Sequence, residues 1–482
     1  MGARRALYYL GWRSDAPRLV RAEPSLVTLS GSTGRGRMSA RPARATSETH
    51  HAEAVSAEPG HHQLDHAEPD HHRSDEGDAL TLERAHHRIA AGALRAGPLG
   101  RVGLELEFHL VDRAFPGEGV PWRRLADAVR ELPRLPGASA VSVEPGGQIE
   151  LSTPPCADVA AAVDALRADE TALRTALAGR GLGLASLGAD PARPSRRVTR
   201  APRYLAMEEH FAAVGTRTQG LAMMCSTAAI QVNLEAGPRS GWAGRVSLAH
   251  LLGPVLVAIS TCSPMLAGAR SGWRSMRQQV WGELDQARCG PILVGVDPAR
   301  EWARYALCAP VMLVRGPPDR AEPVRAAVPF GAWVAGAARL GRAPTRGDLD
   351  YHLGTLFPPV RLRGFIELRC LDAMPARWWP ALAAVATVLL DDPVAADVAA
   401  AACEPVAGRW TAAARHGLRD PALAAAADRC LDAAVAASPP ALKGEVEAYA
   451  ALIATRRTPG DELADRIARI GPRAALKEEA HA

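Results

Sequence analysis

The chain has 482 residues, 48% of them hydrophobic and 23% charged, enough to bury a sizeable core; by length alone it would hold about three domains. A net charge of +5, carried almost wholly by arginine (Lys443 and Lys477 are the sole lysines), with no basic patch interleaved with aromatics, gives no argument for nucleic acid. The eight cysteines (156, 225, 262, 289, 308, 370, 403 and 430) form no CxxC pair, which excludes a zinc knuckle or disulfide framework and fits a reducing cytoplasm.

Residues 1–80 read as a disordered tail, arginine-rich to Arg44 and then rich in histidine and acid from Glu48 to Asp78. The pairs His50-His51, His61-His62 and His71-His72 offer transition-metal ligands, but a solvated tail is the favoured reading, and Met38 is a second candidate initiator. Residues 1–20 lack the apolar core of a secretory signal. The longest apolar stretch, Leu248–Ser260, contains His250 and Pro254 and is too short to span a bilayer.

Order is expected from residue 81 to 482, starting with a helix over Thr81–Ala91. Val102–Val111 alternates strictly, with Val102, Leu104, Leu106, Phe108 and Leu110 on one face and Glu105, Glu107 and His109 on the other, the strongest strand signal in the chain. A helix follows over Trp122–Glu131, then the hairpin Val141–Pro155. Its turn, Pro145-Gly146-Gly147, uses proline to preset φ and glycine to reverse the chain. Glu144 and Glu150 flank that turn, and Gln148, Glu150 and Ser152 alternate with Ile149 and Leu151.

Cys156–Gly181 reads as a long helix with Asp158 near its start, followed by a strand over Leu182–Leu187, a loop over 188–203 and a helix over Tyr204–Val214. Thr227–Glu235 alternates again, Ile230, Val232 and Leu234 inward and Gln231, Asn233 and Glu235 opposite. Arg239–Met265 is mostly helical. Arg270–Trp281, if helical, sets Arg270, Arg274 and Arg277 on one face. Helices at 298–308 and 345–356 bracket a short strand, Val311–Val314. Gly364–Asp372 alternates a last time, with Phe365, Glu367, Arg369 and Leu371 on one side, and 375–470 is alanine-rich helix after helix.

Four strands thus carry polar side chains at alternate positions: Glu105 and Glu107; Glu150 with Glu144 upstream; Gln231 and Asn233; Glu367 and Arg369. Any one alone reads as a solvated face. If all four share a sheet, five carboxylates meet, and close carboxylates repel unless a cation neutralises them. Hard oxygen ligands at that density suit Mg²⁺ or Mn²⁺, which commonly serve a phosphate substrate, so the site reads as ATP-dependent. There is no GxxxxGK[ST] loop and no protein-kinase motif set, so nucleotide would bind through metal and arginine. Arg369 would stabilise a transferring phosphoryl group, with Arg277 and Arg203 as further contacts to phosphate or carboxylate.

The segments VGLELEF, SVEPGGQIELS, PRYLAMEEHF, AMMCSTAAIQVNLE, GWRSMRQQVW and TLFPPVRLRGFIELRCLDA, with the alanine-rich tail, resemble the plant and bacterial glutamate–cysteine ligases, in the same order over roughly residues 85–470. Within them the resemblance points to the actinobacterial ligases of ergothioneine biosynthesis. It implies an α+β fold like the catalytic domain of glutamine synthetase: a curved antiparallel sheet with helices outside and Mg²⁺-ATP on the concave face. It also implies that Glu105, Glu107, Glu144, Glu150 and Glu367 bind metal, that Arg369 is the catalytic arginine, and that Arg203 and Arg277 lie near the substrate. Gln231 falls where some bacterial relatives place a histidine ligand. The implied substrates are glutamate, cysteine and ATP, with neither nucleic acid nor membrane as partner. The competing expectations are the same chemistry with another amine, or a non-catalytic protein that binds nucleotide or metal.

Overall fold

The computed structural model describes residues 80–292, 295–316 and 320–482. The expected tail, apart from Leu80, and its histidine pairs lie outside the described residues.

Nine strands are described: β1 (Val102–Asp112), β2 (Ala140–Val143), β3 (Ile149–Ser152), β4 (Leu182–Ala185), β5 (Ala229–Leu234), β6 (Leu313–Arg315), β7 (Ala321–Pro323), β8 (Val360–Leu362) and β9 (Ile366–Asp372). Seven form one antiparallel sheet in the order β2-β3-β1-β5-β9-β8, with β4 pairing the far end of β1; β6 and β7 make a separate hairpin. The fold is α+β, with an antiparallel sheet and helices packed against it. One face of the sheet is apolar: Leu104, Leu106, Phe108, Ile149, Leu151, Ile230, Val232, Ile366 and Leu368 are all buried. The helices Val159–Ala178, Trp242–Ser260 and Trp379–Asp391 pack on the sheet strands β1, β3, β5 and β9. Burial of a large aliphatic or aromatic side chain contributes about 1.5–3 kcal/mol, so this face dominates the stability and fixes which side chains must point the other way.

Local chemistry sets the element ends. Thr81 caps Leu82–Ala93 by accepting from the Arg84 amide, and Asp158 caps Val159–Ala178 through the Ala161 amide at 2.8 Å. From Trp379 to Glu479 the chain is helical throughout, broken by short connections.

Three expectations are corrected. Only Met276–Gly282 of the Arg270–Trp281 segment is helical, capped by Ser275, so Arg270, Arg274 and Arg277 do not share a helix face; Arg274 instead pairs with Asp461. Arg361, which no expectation covered, lies on β8, a three-residue strand too short to announce itself by alternation. The apolar segment is longer than Leu248–Ser260. Arg239–Ser260 is long and apolar enough to cross a bilayer, yet 67% of it is buried inside the protein, as in a core helix.

The third concerns β9. Ile230 pairs with Leu371 but Val232 pairs with Leu368, so Arg369 and Cys370 together oppose Gln231. This bulge reverses the alternation beyond it: Leu371 turns into the core beside Ile230, away from the side of Glu367 and Arg369. Two side chains from the helix Met276–Gly282, far upstream in the chain, occupy the carbonyls of the bulge, Arg277 Nη2 donating to Arg369 O at 2.7 Å and Gln278 Nε2 to Cys370 O at 2.8 Å.

Candidate active site

The face opposite the core carries the predicted polar residues, and the strand register places them side by side. Ser142, Glu150 and Glu107 line up across β2, β3 and β1; Glu105 stands opposite Gln231; Asn233, Glu367 and Arg361 line up across β5, β9 and β8. The turn before β3 closes with Gly147 N donating to Glu144 O at 2.9 Å and Glu144 N to Gln148 O at 2.8 Å. Gly147 has φ +86°, and a Cβ on Gly146 would lie 2.3 Å from Cys225 O, so both turn glycines are required, one by conformation and one by close approach.

Each acid has its own set of donors. Glu150 Oε1 accepts from Ser142 Oγ at 3.0 Å and Ser152 Oγ at 3.3 Å. Glu107 Oε2 accepts from the Ala229 amide at 2.8 Å, and Glu105 Oε1 from Asn233 Nδ2 at 2.9 Å. Arg369 Nη1 reaches Glu367 Oε1 at 3.0 Å and also bonds Gln231 Oε1. Arg361 grips Glu367 through both Nε and Nη2, the latter at 2.9 Å.

Electrostatically the face divides into two halves. Burial, reinforced by Glu144, pushes the Glu107 carboxyl up to about 7. Burial and the charges of Glu105, Glu144 and Glu107 push Glu150 well above the carboxylate range, and burial with Glu367 raises Glu105. Glu367 goes the other way: against the cost of its burial, Arg361 and then Arg369 hold it down to about 2. The charge of Glu105, Glu107 and Glu150 is therefore disfavoured in this crowded acid group, while Glu367 already has cationic partners. The donor set, several carboxylates that Arg369 and Arg277 only partly offset, fits a hard divalent cation. Among the described residues no group of three His, Cys, Asp or Glu side chains is placed to hold a metal ion as it stands.

The structure brings together Glu105, Glu107, Glu144, Glu150, Glu367, Arg369, Gln231 and Asn233. Arg277 joins them from Met276–Gly282: it is 4% exposed and within electrostatic reach of Glu107 and Arg369, and its Nη1 has no hydrogen-bond partner. Arg203 is not gathered with them. It donates to Gly354 O at 2.9 Å and stacks 4.8 Å from the centre of the Tyr351 ring. Arg361 and Asp372 are parts of the site that sequence reasoning missed, Arg361 for lack of strand signal and Asp372 because the bulge hides its orientation. His109, expected on the acid face, is buried and bonds Leu187 O at 3.1 Å. A largely apolar cleft of about 820 Å³, lined by residues including Leu82, Leu307 and Ala332, contains none of these groups.

The family described as glutamate-cysteine ligase family 2 matches residues 101–481. The glutamate–cysteine ligase EgtA of Mycolicibacterium smegmatis is 52% identical over 399 residues, covering 82% of this chain and 94% of its own. The EgtA of Mycobacterium tuberculosis is 52% identical over 383 residues, covering 79% of this chain and 89% of its own. The chloroplastic glutamate–cysteine ligase of Arabidopsis thaliana is 27% identical, covering 63% of this chain and 58% of its own.

Proposed function

Because the chain belongs to glutamate–cysteine ligase family 2, we propose that it joins the γ-carboxylate of glutamate to the amine of cysteine at the expense of ATP, giving γ-glutamylcysteine. The γ-carboxylate attacks the γ-phosphorus of ATP, forming γ-glutamyl phosphate and releasing ADP. The cysteine amine then attacks the acyl carbon, loses a proton and expels phosphate. We place the product in ergothioneine biosynthesis on the resemblance to the actinobacterial ligases.

The observation that carries this reading is the divided face: three acids whose charge is disfavoured, Glu105, Glu107 and Glu150, beside a half-buried arginine already steered by Gln231 and Glu367. Glu105, Glu107, Glu144 and Glu150, with Glu367 at the border, would hold Mg²⁺ or Mn²⁺. When bound, that ion supplies positive charge that offsets repulsion between the triphosphate and the glutamate carboxylate. The protein's own groups do the rest. Gln231 and Glu367 fix the Arg369 guanidinium, which is fully charged and aims donors at charge developing on the transferring phosphoryl group. Asn233 orients Glu105. Arg277, with an unfilled buried donor, binds an anionic oxygen of a substrate. Arg203, engaged elsewhere, keeps a substrate role only if it swings away from Tyr351. No cysteine is needed as nucleophile, since the acyl phosphate is itself the activated species.

Coupled measurement of ADP release with glutamate and a panel of amino acids tests the proposal. ADP formed with cysteine alone is expected; ADP with another amine would make the chain a different carboxylate–amine ligase, and no ADP under any condition would leave a binding protein.

A further inference from the structure

Asp372 ends β9 and is 1% exposed. A buried carboxylate needs donors, and this one has three: Oδ2 accepts from the Cys262 amide at 3.0 Å and Ser263 Oγ at 2.6 Å, and Oδ1 from Ser275 Oγ at 2.9 Å. Ser275 caps the helix Met276–Gly282 through the Gln278 amide at 3.1 Å, and Ser263 Oγ accepts from the Arg277 amide at 3.2 Å. The carboxylate therefore pins the first turn of the short helix that delivers Arg277. It also supplies that guanidinium's nearest countercharge, Oδ1 lying 3.9 Å from Arg277 Nη1, too long for a hydrogen bond. Arg277 is anchored at its other nitrogen by Arg369 O at 2.7 Å. Nη1 is thus left buried, charged and unfilled.

We propose that Asp372 is a positioning residue that acts through Arg277, holding it so that Nη1 presents a preorganised donor to an anionic oxygen of a substrate. The inference rests on the ligase reading for the identity of that substrate but not for its geometry. It explains the bulge at Arg369 and Cys370. Without the extra residue, Asp372 would lie in the opposite phase of the strand, away from Cys262, Ser263 and Ser275. It also explains Gly188, where a Cβ would come within 2.6 Å of the Asp372 side chain.

The test compares Asp372→Asn, Arg277→Lys and the double variant in full steady-state kinetics for glutamate, cysteine and ATP. Asp372→Asn removes the charge and keeps one acceptor oxygen, placing an amide NH2 where the other oxygen accepted. The expected result is a rise in KM of roughly tenfold to a hundredfold, the size expected for a lost charge-assisted bond, on the same substrate whose KM rises in Arg277→Lys. The kcat should change far less, and the double variant should be no worse than Arg277→Lys alone. Penalties that multiply in the double variant, or a fall in kcat with KM unchanged, would overturn the proposal. Gly188→Ala, which displaces Asp372 without altering it, should shift the same KM and serves if Asp372→Asn does not fold. Substrate-induced shifts of Tm, which need no turnover, repeat the comparison. An inactive wild type would therefore overturn the ligase reading while binding still decides the role of Asp372.

Discussion

Glu107 and Glu150 stand directly opposite each other on adjacent antiparallel strands, two carboxylates on one face. Like charges in that position destabilise a sheet pair by about 0.2–1 kcal/mol, more when buried, and a fold keeps them only where something else uses the charge. Their partners are hydroxyls, an amide and a backbone N–H, none of which cancels a charge.

This gives a prediction with two opposite signs. Glu150→Gln should raise the Tm of the metal-free protein, because a neutral amide avoids the cost of a buried acid crowded by Glu105, Glu144 and Glu107. The same variant should lose ligation by orders of magnitude. Mg²⁺ should raise the Tm of the wild type by mass action and do so much less for the variant. Thermal melts with chelator and with Mg²⁺, beside ADP release, check all three; wild-type turnover or an unchanged Mg²⁺ shift would remove Glu150 from the metal site.

Arg369→Ala should lower kcat by roughly 10²–10³, the size found when a donor to transition-state charge is removed, while ATP affinity falls far less. The reasoning is geometric: Gln231 and Glu367 hold the guanidinium in place before substrate arrives. Steady-state kinetics separates the two parameters, and a pure KM effect would assign Arg369 to ground-state binding alone.

The alternation of β1, β3 and β5 was enough to foresee the shared face and the meeting of Glu105, Glu107, Glu150, Gln231 and Asn233, because period two forces each acid away from the apolar side. Three features were not legible. Arg361 sits on a strand of three residues, below the length at which a period can be seen. The β9 bulge is held by side chains of Arg277 and Gln278 about ninety residues upstream, and no local pattern encodes such a contact. The arginines at 270, 274 and 277 fit a helical spacing, but Ser275 takes the N-cap and the helix starts after it.

Arg361 and Glu367 form a forked, buried ion pair, 7% and 0% exposed. Removing one partner from such a pair strands the other charge, a cost of about 3–5 kcal/mol. Arg361→Met should therefore destabilise the protein by that order in denaturant unfolding. Arg361→Lys, with a point charge but no fork, should recover only part of it. The double variant Arg361→Met/Glu367→Leu should regain stability without activity, whereas a single variant as stable as wild type would show the pair to be dispensable.

Acid sensitivity should come from buried histidines away from the acid face. His250 bonds Val246 O at 2.8 Å and His352 bonds Ala306 O at 2.8 Å, and in each ring the other nitrogen is buried with no partner. A proton there would find no acceptor, and burial lowers His250 to about 4 and His352, also repelled by Arg288, to about 3, from 6.5. Both shifts are downward, so the unfolded chain takes up protons first as pH falls. The stability associated with each neutral ring is complete above about pH 6.5 and drains away as the pH drops towards 4 and then 3, on the order of 3 kcal/mol per histidine. His250→Leu removes one titrating ring while the backbone helix bond to Val246 stays. Its unfolding free energy, measured by denaturant titration across pH 7 to 4, should fall less steeply than that of the wild type by up to one proton. An unchanged slope would mean that His250 is already protonated in the folded protein or finds a partner when it is.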